Sequence, residues 1–92
     1  MKYLITYDII SNKRRKKIAD ILEGAGKRVN LSVFECELND TKLIKHLKTK
    51  LLKQADPKTD SIRIYRICEN CVKKSFGLCM RDEIFADMDL YI

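Results

Sequence analysis

The 92-residue sequence holds one histidine, one proline, three glycines and no tryptophan. With His46 as the sole imidazole, there is no histidine-based general base to build on, and neither a Ser/His/Asp nor a Cys/His arrangement is present. The glycines, at 24, 26 and 77, form neither a P-loop nor a GxGxxG turn, which removes the two common backbone cradles for nucleotide phosphates. Apolar runs extend for only a few residues, too short for a membrane-spanning helix. The opening MKYLITYDII reaches Asp8 without a small-residue cleavage pattern and does not read as a signal peptide. Internal repeats and low-complexity segments are also missing. What is present is a 46% apolar composition, enough for a thin core. A chain of this size buries only about 60–68% of its unfolded surface. The expectation is one soluble, cytoplasmic domain over 1–92 with no membrane association.

Charge is unevenly spread. Residues 1–58 carry fourteen basic and seven acidic side chains, a net +7, while residues 59–92 carry five and six, a net −1. The first part is therefore suited to a polyanion, nucleic acid first among them, although a basic solubilising surface has the same composition. The remainder is suited to something else.

Lys2 to Ile9 alternates Tyr3, Ile5 and Tyr7 against Leu4, Thr6 and Asp8, which predicts a central strand with apolar residues on both faces. Ser11 or Asn12 can cap a helix in which Ile18, Ile21, Leu22 and Ala25 recur at helical spacing, with Gly24 and Gly26 as its stop. From Arg28 to Leu38 the chain is strand-like again, but its apolar face switches near Ser32–Phe34. One bulged strand or two short ones would produce that switch. A second helix over about Asp40 to Gln54 carries Leu43, Ile44, Leu47 and Leu51 on one stripe and ends at Asp56-Pro57-Lys58. Ser61 to Ile67 reads as a further strand with Ile62 and Ile64 facing in. This order predicts an α+β, ferredoxin-like βαββαβ sandwich with both helices on one face. That core is complete by about residue 68, yet Ala86 to Ile92 alternates once more. A spare strand on so small a domain needs an edge, and exchange with a second copy would cover two edges at once. A homodimer is expected.

Asp8 is the first chemical candidate, an acid at the carboxyl end of a largely apolar strand. The competing reading is an aspartate opening the turn to Ser11. One carboxylate is a poor metal site, but two copies facing each other across a dimer axis repel and favour a shared divalent cation. Mg²⁺ suits that geometry because it keeps most of its waters. Lys13-Arg14-Arg15-Lys16-Lys17 then crowds five cations into the first turns of the helix, against its macrodipole. A bound phosphate would reverse the sign of that interaction. Arg14, four residues before Ile18, and Arg15, seven before Leu22, should lean toward the Asp8 end of the sheet, with Lys13 and Lys16 toward solvent. A solvated cationic face is the alternative. The lysines of the second helix and His46 read as solvated. Cys68-Glu-Asn-Cys71 with Cys79 lacks a partner cluster for a structural zinc. It also follows a strand without a clear helix, so free thiols, Cys36 included, are the default over a redox pair or a zinc site.

The segments KYLITYDI, KRRKKIADIL, GKRVNLSVFECEL and SIRIYRIC resemble, in order and spacing, the small CRISPR-associated endoribonuclease family, the non-integrase protein of spacer acquisition. The resemblance covers about residues 2–68, with 69–92 matching only as a variable tail ending in a strand. It implies a ferredoxin-like homodimer whose terminal strands cross to the partner sheet. It also implies Mg²⁺, with Mn²⁺ as a substitute, held by the two copies of Asp8 as both metal ligand and catalytic residue. The implied activity is metal-dependent cleavage of single-stranded RNA or double-stranded DNA. The implied partners are a CRISPR integrase, whose dimers the protein bridges, and a duplex spacer precursor on its basic surface. Tyr7 and Asp8 match the strand-end motif, and Arg28, Ser32 and Phe34 match the second motif. Arg15 and Lys17 fall where relatives place basic residues. The nucleic-acid candidates are thus Arg14, Arg15, Lys17 and Arg28, with Tyr7, Ser32 and Phe34 as the supporting shell. Two alternatives stand beside this reading: a DNA-binding adaptor in which Asp8 is dispensable, and a toxin-type ribonuclease of the same fold.

Overall fold

A computed structural model describes residues 1–79 and 83–86. The element order is β1 (Lys2–Asp8), α1 (Asn12–Glu23), β2 (Gly26–Asn30), β3 (Val33–Glu37), α2 (Thr41–Gln54), β4 (Ser61–Ile67) and α3 (Glu69–Lys74). The strands form one sheet in the order β2-β3-β1-β4, with every neighbouring pair antiparallel. Each helix crosses from a strand to the next strand but one, the split arrangement of a ferredoxin-like α+β sandwich. β1 is central, as its two-sided apolar pattern predicts. The expected strand over 86–92 lies, Ala86 apart, outside the described residues.

The core follows the two periodicities. Tyr3, Ile5 and Tyr7 of β1 and Phe34 and Cys36 of β3 pack under Ile18, Ala19 and Leu22 of α1 and Ile44, Leu47 and Leu51 of α2. Ser11 caps α1 by accepting a bond from the Arg14 N–H at 3.2 Å, and Asp40 caps α2 by accepting from the Lys42 N–H at 2.9 Å. The switch of apolar face near Ser32 resolves as two short strands. A tight connection at Leu31–Ser32 joins β2 to β3, and a register shift between Arg28 and Asn30 marks a bulge in β2. Val29 and Leu31, whose alternation in sequence mimics an inward face, are both exposed there.

Two glycine assignments change in mechanism. Gly24 does end α1, but with φ −76°, in right-handed backbone that any residue adopts. Gly26 instead belongs to β2, where a Cβ would lie 2.3 Å from the Glu35 carbonyl oxygen and 2.5 Å from Cys36 Sγ. Close strand packing, not the turn, needs glycine at 26. A further correction concerns residues 69–74. The sequence reading found no helix there, and the structure has α3, with Cys68 as its cap.

The sheet face away from α1 and α2 carries Leu4, Thr6, Val33, Glu35 and Tyr65. Glu35 is buried there and accepts the Phe85 backbone N–H at 2.8 Å, so residues 83–86 lie against this face. Glu37 is also buried, between the terminal ammonium at 3.4 Å and Lys2 Nζ at 3.6 Å.

Candidate active site

β1 ends at Asp8, and only residues 9–11 separate it from α1, so the strand end, the first helical turns and the β2–β3 connection are forced together. They enclose a cleft of about 680 Å³ lined by Tyr7, Asp8, Ile9, Asn12, Arg15, Lys16, Ala19, Asp20, Glu23, Arg28, Leu31 and Ser32. Asp8 is exposed at its mouth, opposite Ser61 in the β1–β4 register. Among the described residues its carboxylate has neither a hydrogen-bond nor an ion-pair partner. It therefore makes none of the turn hydrogen bonds that an aspartate opening the turn to Ser11 would make.

Arg28 organises one wall. Its Nε and Nη2 donate to the Leu31 carbonyl at 3.1 and 2.8 Å, Nη2 also donates to Tyr7 Oη at 3.3 Å, and Nη1 reaches Glu23 at 3.4 Å. Its guanidinium carbon lies 5.5 Å from the Phe34 ring centroid, a cation–π contact. Tyr7 stacks on Phe34 at 6.3 Å between centroids and donates its hydroxyl to the same Leu31 carbonyl at 3.1 Å. The Tyr7 backbone N–H donates to the Ser32 carbonyl at 3.1 Å. Tyr7, Arg28, Ser32 and Phe34 are therefore one network that fixes the β2–β3 connection against the end of β1. Arg15 secures the other side of Asp8: its Nη1 donates to the Ile9 carbonyl at 3.3 Å and its Nη2 to Asn12 Oδ1.

Arg14 is elsewhere. Its Nε and Nη2 form a fork on Asp60 at 2.8 and 3.0 Å, and Nη2 also reaches Thr59. The Asp60 side chain is fully enclosed and also accepts the Asp56 N–H at 2.8 Å. The Arg14 hydrogen bond, then that backbone N–H, hold the Asp60 carboxyl at about 2, and Asp60 in turn raises the Arg14 guanidinium. The helical stripe that suggested Arg14 leans toward Asp8 gave its face correctly. The acceptor it meets comes from the α2–β4 connection. Lys17 is exposed and does not line the cleft.

The sequence reading missed Asp20 and Glu23, which line the cleft from α1. Asp20 pairs with Lys16 at 3.3 Å and Glu23 with Arg28. The signal was available: residues 12, 15, 16, 19, 20 and 23 form one i, i+3, i+4 ladder. Among the described residues no cluster of three potential ligands is suited to a metal ion. Of the three carboxylates that line the cleft, Asp8 alone is thus unengaged among the described residues, a donor set that fits a hard cation retaining most of its waters and completed by further ligands. Among the same residues, no helix is long and apolar enough to cross a membrane.

The fold and the site together define a class of protein, a small ferredoxin-like α+β sandwich with an acidic strand end framed by arginines. Comparison with known proteins narrows it. The family model described as CRISPR associated protein Cas2 matches residues 1–75, and this chain belongs to that family. A CRISPR-associated endoribonuclease Cas2 of Chloroflexus aurantiacus is 49% identical over 72 residues, 77% of this chain and 76% of the relative. Another, from Moorella thermoacetica, is 42% identical over 78 residues, covering 79% and 80% of the two chains. Among solved structures, Streptococcus pyogenes Cas2 superposes with TM-score 0.73 at 34% identity, over 85% of this chain and 99% of that one. A chain of a partial Cas6-RT-Cas1–Cas2 complex superposes with TM-score 0.73 at 31% identity, over 84% and 89%.

Proposed function

We propose that this chain serves CRISPR spacer acquisition as a homodimeric, Mg²⁺-dependent phosphodiester endonuclease that also binds duplex DNA and bridges integrase dimers. One observation carries the catalytic part: Asp8 is an exposed carboxylate without a partner among the described residues, at the mouth of a cleft walled by Arg15, Lys16 and Arg28. Relatives named as endoribonucleases support the reaction class, and the superposed chain of a Cas1–Cas2 complex supports an integrase partner.

The cation would be held by Asp8 of each subunit, and when bound it lowers the pKa of a coordinated water and offsets charge on the scissile phosphate. The chain's own residues supply the rest. Lys16 and the outward edges of Arg15 and Arg28 attract and orient the phosphate. The Tyr7–Arg28–Leu31 network keeps the cleft wall from relaxing as charge develops, so the donors need no reorganisation. The remaining cations, Lys17 among them, add sequence-independent attraction to the nucleic-acid backbone. The outward sheet face, with Leu4 and half-exposed Tyr65, is suited to a second copy.

The test uses the purified protein with single-stranded RNA and with duplex DNA, each with Mg²⁺ or with excess chelator. Cleavage should require the cation and return when Mg²⁺ or Mn²⁺ is restored. Equal cleavage in chelator would contradict the metal assignment. The non-catalytic adaptor is favoured by one feature, the commitment of the Arg15 and Arg28 donors to backbone carbonyls. That reading expects salt-sensitive duplex binding and no cleavage with either substrate.

A further inference from the structure

The Cys68–Cys71 pair lies outside everything described above. Asp8 pairs with Ser61 at one end of β1, whereas Lys2 pairs with Ile67 at the other, immediately before Cys68. The 7-residue strand between them puts the thiols about 20 Å from the cleft. A helix does follow the CxxC sequence, contrary to the expectation from sequence. Cys68 caps α3, and three residues on, in the first turn, the Cys71 backbone N–H donates to Cys68 Sγ at 3.4 Å. Both side chains are exposed and both are free thiols. The site is anchored on the chain start by the Lys2–Glu69 ion pair at 3.0 Å.

We propose that Cys68 and Cys71 are an oxidisable dithiol that closes to an intramolecular disulfide under peroxide. The two thiols are unequal in the way such a step needs. The Cys71 backbone N–H, the largest effect, lowers the pKa of Cys68, and the hydrogen bond to Cys68 raises that of Cys71. Cys68 is the attacking thiolate and Cys71 the resolving thiol. Cys68 sulfur attacks one oxygen of hydrogen peroxide; the O–O bond breaks, and the departing hydroxide takes a proton to become water. The Cys71 thiol, losing its proton, then attacks the Cys68 sulfenic sulfur and expels hydroxide, which that proton turns into a second water. Two thiols are oxidised to one disulfide, and one peroxide is reduced to two waters. The covalent bond replaces an N–H···S cap where the chain leaves β4.

Two other cysteines serve as internal controls. Cys36 is buried in the core, where burial pushes its thiol up to about 12, and should be inert. Cys79 is exposed on the far side of α3 in sequence. The experiment treats the whole native protein with hydrogen peroxide, then denatures, alkylates and digests it with trypsin for mass spectrometry. Residues 67–73 carry both thiols on one peptide. That peptide should lose two hydrogen masses and resist alkylation, while the Cys79 peptide is alkylated. In Cys71→Ser, dimedone should trap a sulfenic acid on Cys68. In Cys68→Ser, which keeps a competent cap, Cys71 should react no faster than Cys79. Equal alkylation of the 67–73 and Cys79 peptides after peroxide would overturn the proposal. So would disulfides that link Cys68 or Cys71 only to Cys79 or to another chain.

Discussion

A single guanidinium decides how the cleft wall is built. Arg28 touches a carbonyl, a phenol, a carboxylate and an aromatic face at once. A lysine can satisfy one of these acceptors but lacks the planar fork. Arg28→Lys should therefore lower stability by about 1–2 kcal/mol in urea unfolding. It should also reduce cleavage more than duplex affinity, since the loss is of positioning. A variant as stable as wild type would show that the network is incidental. Arg14 makes the opposite case. Its neighbours in sequence mark it as a phosphate ligand, yet its fork is closed on Asp60. Asp60 titrates at about 2 in the fold against an ordinary 3.8, so its stabilisation is present above the ordinary value and is lost as pH falls through about 2. Thermal unfolding of wild type should decline across that interval. Asp60→Asn should begin at a lower Tm near neutrality and show a shallower decline. An unchanged acid limb in the variant would contradict the assignment.

Elements with one dominant periodicity were legible, and those without one were not. β1, α1, α2 and β4 each carry an unbroken apolar stripe, and each appears within a residue or two of its expected bounds. The β2–β3 connection was ambiguous because Val29 and Leu31 mimic an inward face while both are exposed. α3 was missed because its six residues bury nothing and so present no stripe. At the cleft, Asp8, Arg15 and Arg28 were drawn together by motif and helix face. Arg14 does lean toward the Asp8 end of the sheet, where Ser61 pairs with Asp8, but a periodicity argument sees only its own helix and could not name its acceptor, Asp60, 46 residues away. Gly26 is the sharpest element-scale test. An added Cβ meets the backbone of β3, which cannot swing aside as a side chain can. Gly26→Ala should cost about 1–3 kcal/mol. Gly24→Ala, with the nearest atom at 3.4 Å and ordinary φ, should be neutral or stabilising. Equal effects of the two would contradict the packing account.

For the whole molecule, the arrangement divides labour between two sheet faces. One is sealed by α1 and α2. The other keeps Leu4 and Tyr65 partly accessible beside the segment anchored on Glu35. A second copy on that face is the assembly proposed above, and exchange of the terminal strands is the sequence-based expectation for how it is held. Removal of residues 86–92 should shift sedimentation toward monomer; a truncated chain that stays dimeric would contradict the exchange. A dimer is also what a lone carboxylate needs, because one Asp8 cannot hold a cation tightly, whereas two can share it. The most direct measurement is made on Asp8→Asn beside wild type, with each protein assayed for Mg²⁺-dependent cleavage of RNA and DNA and for duplex binding. The account predicts that cleavage is abolished while the dimer and its duplex affinity are retained. Undiminished cleavage by a folded, dimeric Asp8→Asn would contradict it.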